Sequence, residues 1–391
     1  MRHDQFTSLA RRKRPHVGNQ IGKLGESVWH WLRDPAKRSA ARAVWAKGDP
    51  VAFPDGFPAG FPEDGYRGAY IADLAERLAT EGISGPERWD EPSRADDRPV
   101  SVRSWQLMLE RIHGDLDLLD IRFDRWFSER ALHGLDPGST DAIGALVPRL
   151  MAHDWAYAQE ATSGDDGEPA QPGKAVFFRG TRDDVPKSFR DAKDRVILRS
   201  DGRPTYFAAD IAYHANKFQR GNTKLINIWG ADHHGYVARL KAGVAAAGYN
   251  AKNLDIILTQ MVSLVRDGEA VIGGKRKGNV IELKEDLVDD IGKDAARFYF
   301  LLNSYETPAT VDVELAKRQT NDNPVYYVQY AHARICTVLR NASELGVNYG
   351  SNYINSNSLV HDRERELIGL LGEFPKIVAG AAELREPHRV A

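Results

Sequence analysis

Three observations predict an α/β fold built on a parallel sheet and followed by a helical domain. Residues 195–262 alternate strand-like and helix-like segments: Arg195 to Ser200, Phe207 to Arg220, Lys224 to Trp229, Val237 to Ala247 and Leu254 to Val262. This βαβα order implies right-handed crossovers and ligand sites at the carboxyl ends of the strands. Polar and glycine-rich clusters fall at those ends, at Arg199-Ser200-Asp201-Gly202 and at Trp229-Gly230-Ala231-Asp232-His233-His234-Gly235-Tyr236. From Leu283 onward the apolar spacing is helical, over Leu283 to Ile291, Ala295 to Leu302, Arg363 to Leu371 and Ala379 to Leu384.

The chain has 391 residues, room for about two to three domains, and 42% of them are hydrophobic, which allows a substantial core. Lys+Arg 53 against Asp+Glu 55 gives a net charge of −2, so any nucleic-acid contact must come from local patches. One cysteine, Cys336, excludes an internal disulfide framework and fits a reducing compartment. With no apolar run of about 18 residues and no signal-peptide pattern, a cytoplasmic protein with no membrane partner is expected.

Residues 1–15 hold Arg2, Arg11, Arg12, Lys13 and Arg14 and read either as a solvated basic tail or as a phosphate contact. Asn19 and Gln20 stand where they would cap a helix running through Trp31. Residues 50–62 are rich in Pro, Gly and Phe and punctuate the chain. Glu63 and Asp64 then form an acidic turn ahead of an amphipathic helix, Tyr70 to Leu78. Glu87 to Pro99 reads as an exposed loop, and Val102 to Leu119 as a helix. Arg122 to Glu129 alternates polar and apolar residues as a strand does. Ser163 to Pro172 is a polar connection, and Ala175 to Arg179 restarts a β pattern.

Tyr206 and Asp210 stand four residues apart on one helical face. A carboxylate beside an aromatic ring suits a planar guanidinium, which it meets with two parallel charge-assisted bonds; a solvated acid beside a half-buried tyrosine has the same spacing. His214, one turn on, reads as a helix-face histidine, since one Asp and one His do not make a zinc site. His233 and His234 are adjacent, so their side chains diverge, and no third spaced ligand follows. A polar turn lining a pocket is therefore expected, and no metal. Gly273-Gly274-Lys275-Arg276-Lys277-Gly278-Asn279 lacks Walker A spacing. It reads either as a basic hairpin turn or as a glycine loop whose Lys275 neutralises charge building on departing phosphates.

In order and spacing, Arg199 to Gly202, Thr205-Tyr206-Phe207-Ala208-Ala209-Asp210-Ile211-Ala212-Tyr213-His214, Trp229 to Tyr236 and Gly273 to Asn279 resemble the second half of a class I arginyl-tRNA synthetase catalytic domain. Gly18-Asn19-Gln20-Ile21, Glu63-Asp64-Gly65-Tyr66, Arg122 to Glu129 and Asp294-Ala295-Ala296-Arg297-Phe298 also have counterparts there. Asn321 to Arg334 is similar to the opening of the family's helical anticodon-binding domain. The resemblance runs from about Gly18 to the end. It implies a Rossmann-like sheet without its first strand, an inserted α/β region and a carboxyl-terminal helical domain. The boundaries expected from it are 1–15 (basic tail), 16–50 (remnant of the first catalytic half), 51–190 (inserted region), 191–318 (second catalytic half) and 319–391 (partial anticodon-binding domain).

What the resemblance implies for chemistry is ATP-dependent activation of arginine and its transfer to tRNA(Arg) in protein synthesis. ATP with Mg2+ is then a substrate, and no tightly bound cofactor is expected. Tyr206, Asp210 and His233 would bind arginine; Gly230, Asp232, Lys275 and Gly278 would bind ATP, with Lys275 catalytic. Tyr326, Tyr330 and Arg334 would contact tRNA, although aromatics at helical spacing also build cores. The signature loop departs from the family's KMSK: Ile272, Gly273 and Gly274 stand where its first lysine, methionine and serine fall, and Lys275 is kept. The sequence also contains no HIGH tetrapeptide. The expectation is thus a polypeptide truncated at both ends, weak in charging tRNA by itself and prone to self-association through a bare sheet edge. A chain carrying the remainder would complete it; a non-catalytic paralogue serving as a tRNA-binding or regulatory module is the alternative.

Overall fold

A computed structural model of the chain describes residues 19–45, 56–63, 65–68, 70–84, 99–160, 173–271, 281–347 and 358–391. These divide into two compact units. The first lies within Met1–Arg111 and Phe123–Leu258, the second within Ile112–Arg122, Thr259–Gly273 and Val280–Ala391.

The first unit opens with helices α1 (Asn19–Leu32), α2 (Pro35–Trp45) and α3 (Tyr70–Thr80), followed by the start of α4 (Pro99–Leu118). Each buries one stripe: Leu24, Val28 and Trp31 from α1 meet Ile71, Leu74, Ala75 and Leu78 from α3 and Val100 and Leu107 from α4. Gly25 makes that packing possible, because a Cβ there would stand 2.0 Å from Ser101 Oγ. α3 ends two residues beyond its predicted limit.

A second core joins α5 (Ala142–Ala152), α6 (Tyr206–Gln219) and α7 (Val237–Ala246) to strands β1 (Ala156–Glu160), β2 (Lys174–Phe178) and β3 (Arg195–Leu198). Asp141 starts α5 by accepting the Gly144 N–H at 2.7 Å. The strands form an antiparallel sheet in the order β1-β2-β3. The βαβα order predicted a parallel partner for β3; it pairs with β2 instead, because strand pairing is set by contacts remote in sequence. β4 (Leu225–Gly230) and β5 (Leu254–Thr259) make a separate two-stranded sheet, with Leu225 and Leu254 packed on Leu240 and Val244 of α7. Gly243 lets α7 lie close against α6, since its Cβ would come within 2.6 Å of Ile211. The predicted strand over Arg122 to Glu129 does not form. Phe123 and Trp126 are 57% and 42% exposed, so the alternation has no core to face.

In the second unit, β6 (Val262–Arg266) pairs antiparallel with β7 (Glu269–Ala270) and parallel with β8 (Ala309–Asp312). Leu264 and Val311 pack on Leu287 and on Ala295, Ala296 and Tyr299 of α8 (Lys293–Leu301). A short helix, α9 (Val313–Lys317), precedes α10 (Pro324–Glu344), which Asn323 caps by accepting the Val325 N–H at 3.1 Å. α11 (Asp362–Leu384) runs unbroken through Pro375, where two shorter helices were predicted.

Candidate functional site

The site is built on α6 and on the turns at either side of it. After β3, Arg199 to Arg203 folds into a tight turn: the Arg199 N–H donates to the Arg203 carbonyl at 2.8 Å, and Gly202 takes φ +85°. Asp201 accepts from the Arg203 N–H at 3.0 Å and pairs with its guanidinium at 2.6 Å. Thr205, 5% exposed, donates its hydroxyl to the Val196 carbonyl at 2.8 Å and so fixes where α6 begins. The first side chain of the helix, Tyr206, is 56% exposed.

Asp210 lies one turn later and is half-buried. The Tyr236 hydroxyl donates to its Oδ2 at 2.7 Å. Burial pushes the Asp210 carboxyl up from the ordinary range and the nearby Glu129 charge adds to that, while the Tyr236 bond and the Lys217 and His233 charges oppose it. A buried carboxylate next to a second carboxylate attracts a cation. Glu129 was not among the residues picked from the sequence. It enters because the turn 129–132 packs on α6, a contact that no local pattern announces. His133, 6% exposed, faces Glu129 with its Nε2 3.7 Å from the carboxylate oxygen.

Gly230 to Tyr236 leaves β4 and continues as a 3-10 run over Ala231–Tyr236. Asp232, His233 and His234 are exposed; His233 sits 3.8 Å from the Asp232 carboxylate, with its ring 6.1 Å from that of Trp229. A Cβ on Gly230 would meet only Asp232 Oδ1, at 2.6 Å, the end of an exposed side chain that can turn away. Tyr236 is held from behind by Arg239, whose guanidinium lies 5.0 Å from the ring centroid. Arg239 and Arg195 both bond Asp191 at 2.8 Å.

His214 is 3% exposed and internal to the fold, rather than on an open helix face. Its Nδ1 contacts the Asp210 carbonyl at 2.7 Å and its Nε2 the Asn227 amide nitrogen at 2.8 Å; Lys217 donates to the Asn227 Oδ1 at 3.3 Å. With Asn227 donating, the ring is neutral and carries its proton on Nδ1. Burial lowers its pKa to about 4. Above about pH 6.5 this costs nothing. As pH falls toward 4 the unfolded chain binds a proton that the folded chain refuses, and stability is lost. The protein is expected to be about 2–3 kcal/mol less stable at pH 4.5 than at pH 7 from this group. Urea unfolding at both values, on the parent and on His214→Gln, checks it; an unchanged pH dependence in the variant rules the account out.

Tyr326 and Tyr330 stack on α10 with ring centroids 5.8 Å apart, and the Arg334 guanidinium lies 5.7 Å from the Tyr330 ring. Tyr330 is 45% exposed, so it presents a face to solvent rather than to a core. Lys275 and Gly278 lie outside the described residues, as does Asp64. No helix of the described residues is long and apolar enough to cross a membrane.

The DALR anticodon binding domain family matches residues 328–391. The arginine–tRNA ligase of Desulforamulus reducens is 41% identical over 331 residues, 84% of this chain and 54% of that protein. The arginine–tRNA ligase of Desulfosudis oleivorans is 37% identical over 391 residues, 96% of this chain and 66% of that protein. A solved Campylobacter jejuni structure assigned as an arginyl-tRNA synthetase superposes with a TM-score of 0.69 at 32% identity, over 96% of this chain and 71% of that one. Thermus thermophilus arginyl-tRNA synthetase, at 21% identity and a TM-score of 0.53, shares the fold. The chain spans about half the length of the first curated relatives it matches.

Proposed function

The chain belongs to the arginyl-tRNA synthetase family, and on that premise we propose that it reads arginine at Asp210 in the ATP-dependent charging of tRNA(Arg). The observation that carries this reading is a half-buried carboxylate, held by the Tyr236 hydroxyl at 2.7 Å and raised in pKa by burial and by Glu129. Such a site prefers a cation able to donate two parallel hydrogen bonds. Tyr206 supplies an aromatic wall at the start of the same helix, and His233 closes the amino-acid side. Gly230 and Asp232 face the nucleotide, and Lys275 delivers positive charge to the departing pyrophosphate. ATP enters with Mg2+ as substrate. Tyr326, Tyr330 and Arg334 offer a stacking surface to tRNA. A second polypeptide supplying further parts of the sheet is compatible with Ile226 and Ile228 on β4, which are 47% and 69% exposed.

Calorimetric titration with arginine and with citrulline, its neutral near-isostere, tests the reading. Arginine is expected to bind more tightly by a factor of about 100 or more, because citrulline leaves the carboxylate without a charge partner. Equal affinity for the two would sink the proposal. Tyr236→Phe is expected to weaken arginine about tenfold by releasing one oxygen of Asp210, consistent with a bond to a charged group. It should leave the affinity for ATP unchanged in the same titrations. A non-catalytic tRNA-binding or regulatory role is the second reading, favoured by Ile272, Gly273 and Gly274 in place of three signature-loop residues. Charging of tRNA with labelled arginine separates the two.

A further inference from the structure

We propose that α10 and α11 of one chain pack against α11 and α10 of a second copy, closing a four-helix bundle about a twofold axis. This holds whether or not Asp210 reads arginine.

Among the described residues α10 buries only Val325 and α11 only Ala381. A helix that buries so little lacks the main source of helical stability in proteins, the packing of an apolar face. Both helices carry such a face, and its period is seven. On α10, Val328, Ala331, Ile335, Val338 and Ala342 step by three and four residues; on α11, Leu367, Leu370, Phe374, Ile377 and Ala381 do the same. These are the a and d positions of a heptad, the seam along which helices interlock at about 20°. The large residues in it are exposed, Ile335 to 60% and Leu370 to 68%.

Width and charge choose the occupant. Leu339 on α10 and Leu371 and Val378 on α11 extend each seam to the e position and are exposed too. A stripe over a, d and e serves a bundle, in which each helix touches two neighbours, whereas a two-helix contact needs a and d alone. Packed as a hairpin, α10 and α11 of one chain would leave part of each stripe in water, and a second pair covers it. The positions flanking the seam select the pairing. They hold His332 and Arg334 on α10 and Glu364, Glu366 and Glu373 on α11. Setting α11 on α11 would oppose carboxylates, whereas α10 on α11 pairs opposite charges. Under twofold symmetry that contact forms twice and the assembly closes. α10 has 21 residues and α11 has 23. At about 1.5 Å per residue and about 10 Å of width, the two stripes offer about 650 Å² per chain and about 1,300 Å² in all, the size of a stable interface. Tyr326 and Tyr330 fall at f and c, off the seam, so the bundle leaves their stacked rings open.

Sedimentation equilibrium of the full chain at micromolar concentration is expected to give twice the chain mass, with a melting temperature that rises with concentration. Ile335→Asp/Phe374→Asp puts a charge into each seam and is expected to raise the dissociation constant at least about 100-fold, leaving a monomer. Both side chains are exposed in the single chain, so its own cores are untouched. Glu366→Lys/Glu373→Lys is expected to weaken the dimer about tenfold, and Arg334→Glu in that background to recover part of the loss. Ile226→Lys/Ile228→Lys, on the open face of β4, should leave the dimer intact, which separates the helical seam from association through the sheet. A parent chain that stays monomeric overturns the proposal. So does an open-ended assembly, a dimer that survives the seam variant, or one that the β4 variant dissolves.

Discussion

Asp210→Asn is expected to weaken arginine binding by about 10²–10⁴, the effect of removing one partner from a desolvated charge pair, on the order of 3–5 kcal/mol. The free protein already holds this carboxylate at a cost: burial and Glu129 raise its pKa, and Tyr236 only partly offsets them. Asparagine keeps the hydrogen bond from Tyr236 and removes the buried charge. Folding stability should therefore hold or rise slightly while affinity falls, which separates a binding defect from an unfolded variant. Acid should mimic the substitution. Because the Asp210 carboxyl is raised, arginine affinity should start to fall at a pH above the ordinary carboxylate range. Titrations of parent and variant from pH 7 to pH 4.5 check both points. An arginine dissociation constant within a factor of about two of the parent at pH 7 would falsify the assignment of Asp210.

The elements around this site were legible to within one or two residues. α6, β4 and α7 each carry a clear period and end in a turn, and such signals are local. What the sequence hid was pairing. β3 has the composition of a strand, but nothing within it says that β2 is its neighbour. Glu129 reaches the site only because the segment before it folds back on α6. The alternation over Arg122 to Glu129 misleads because a period of two needs a partner strand to become a sheet, and none is present there among the described residues. His214 reads only as a helix-face histidine, and its buried partner, Asn227, 7% exposed, comes from β4. One local signal did exist. In Leu225-Ile226-Asn227-Ile228 the asparagine shares a face with the buried leucine, and the two isoleucines share the open one. That reversed alternation announces a buried polar network, though not its members. Pro375 misled in the opposite sense, since it removes one helical hydrogen bond without ending α11.

Asp191→Asn is expected to destabilise the first unit by about 3–5 kcal/mol, as when one member of a buried ion pair is removed. The Asp191 side chain is 6% exposed and serves two arginines: Arg195 binds both oxygens, at 2.8 and 3.0 Å, and Arg239 binds Oδ2 at 2.8 Å. Burial alone would raise this carboxyl, but the two guanidiniums outweigh it and hold the pKa down to about 2. The stabilisation is thus complete above the unfolded value near 4 and is lost as pH falls toward 2, a window worth about 2 kcal/mol. The substitution costs more than protonation, since urea unfolding near pH 7 compares it with the fully charged triad. Arg195 and Arg239, 18% and 15% exposed, then lose the carboxylate charge that they share. Arg239 also backs Tyr236, so the loss should spread to the hydroxyl that orients Asp210 and weaken arginine binding modestly. Replacing Arg239 by Met in the Asp191→Asn background removes one of the two cations that Asp191 served and should recover part of the stability but none of the arginine affinity. Strictly additive losses in the double variant, or a single-variant loss below about 1 kcal/mol, would show that the triad is not the unit that braces this wall of the site.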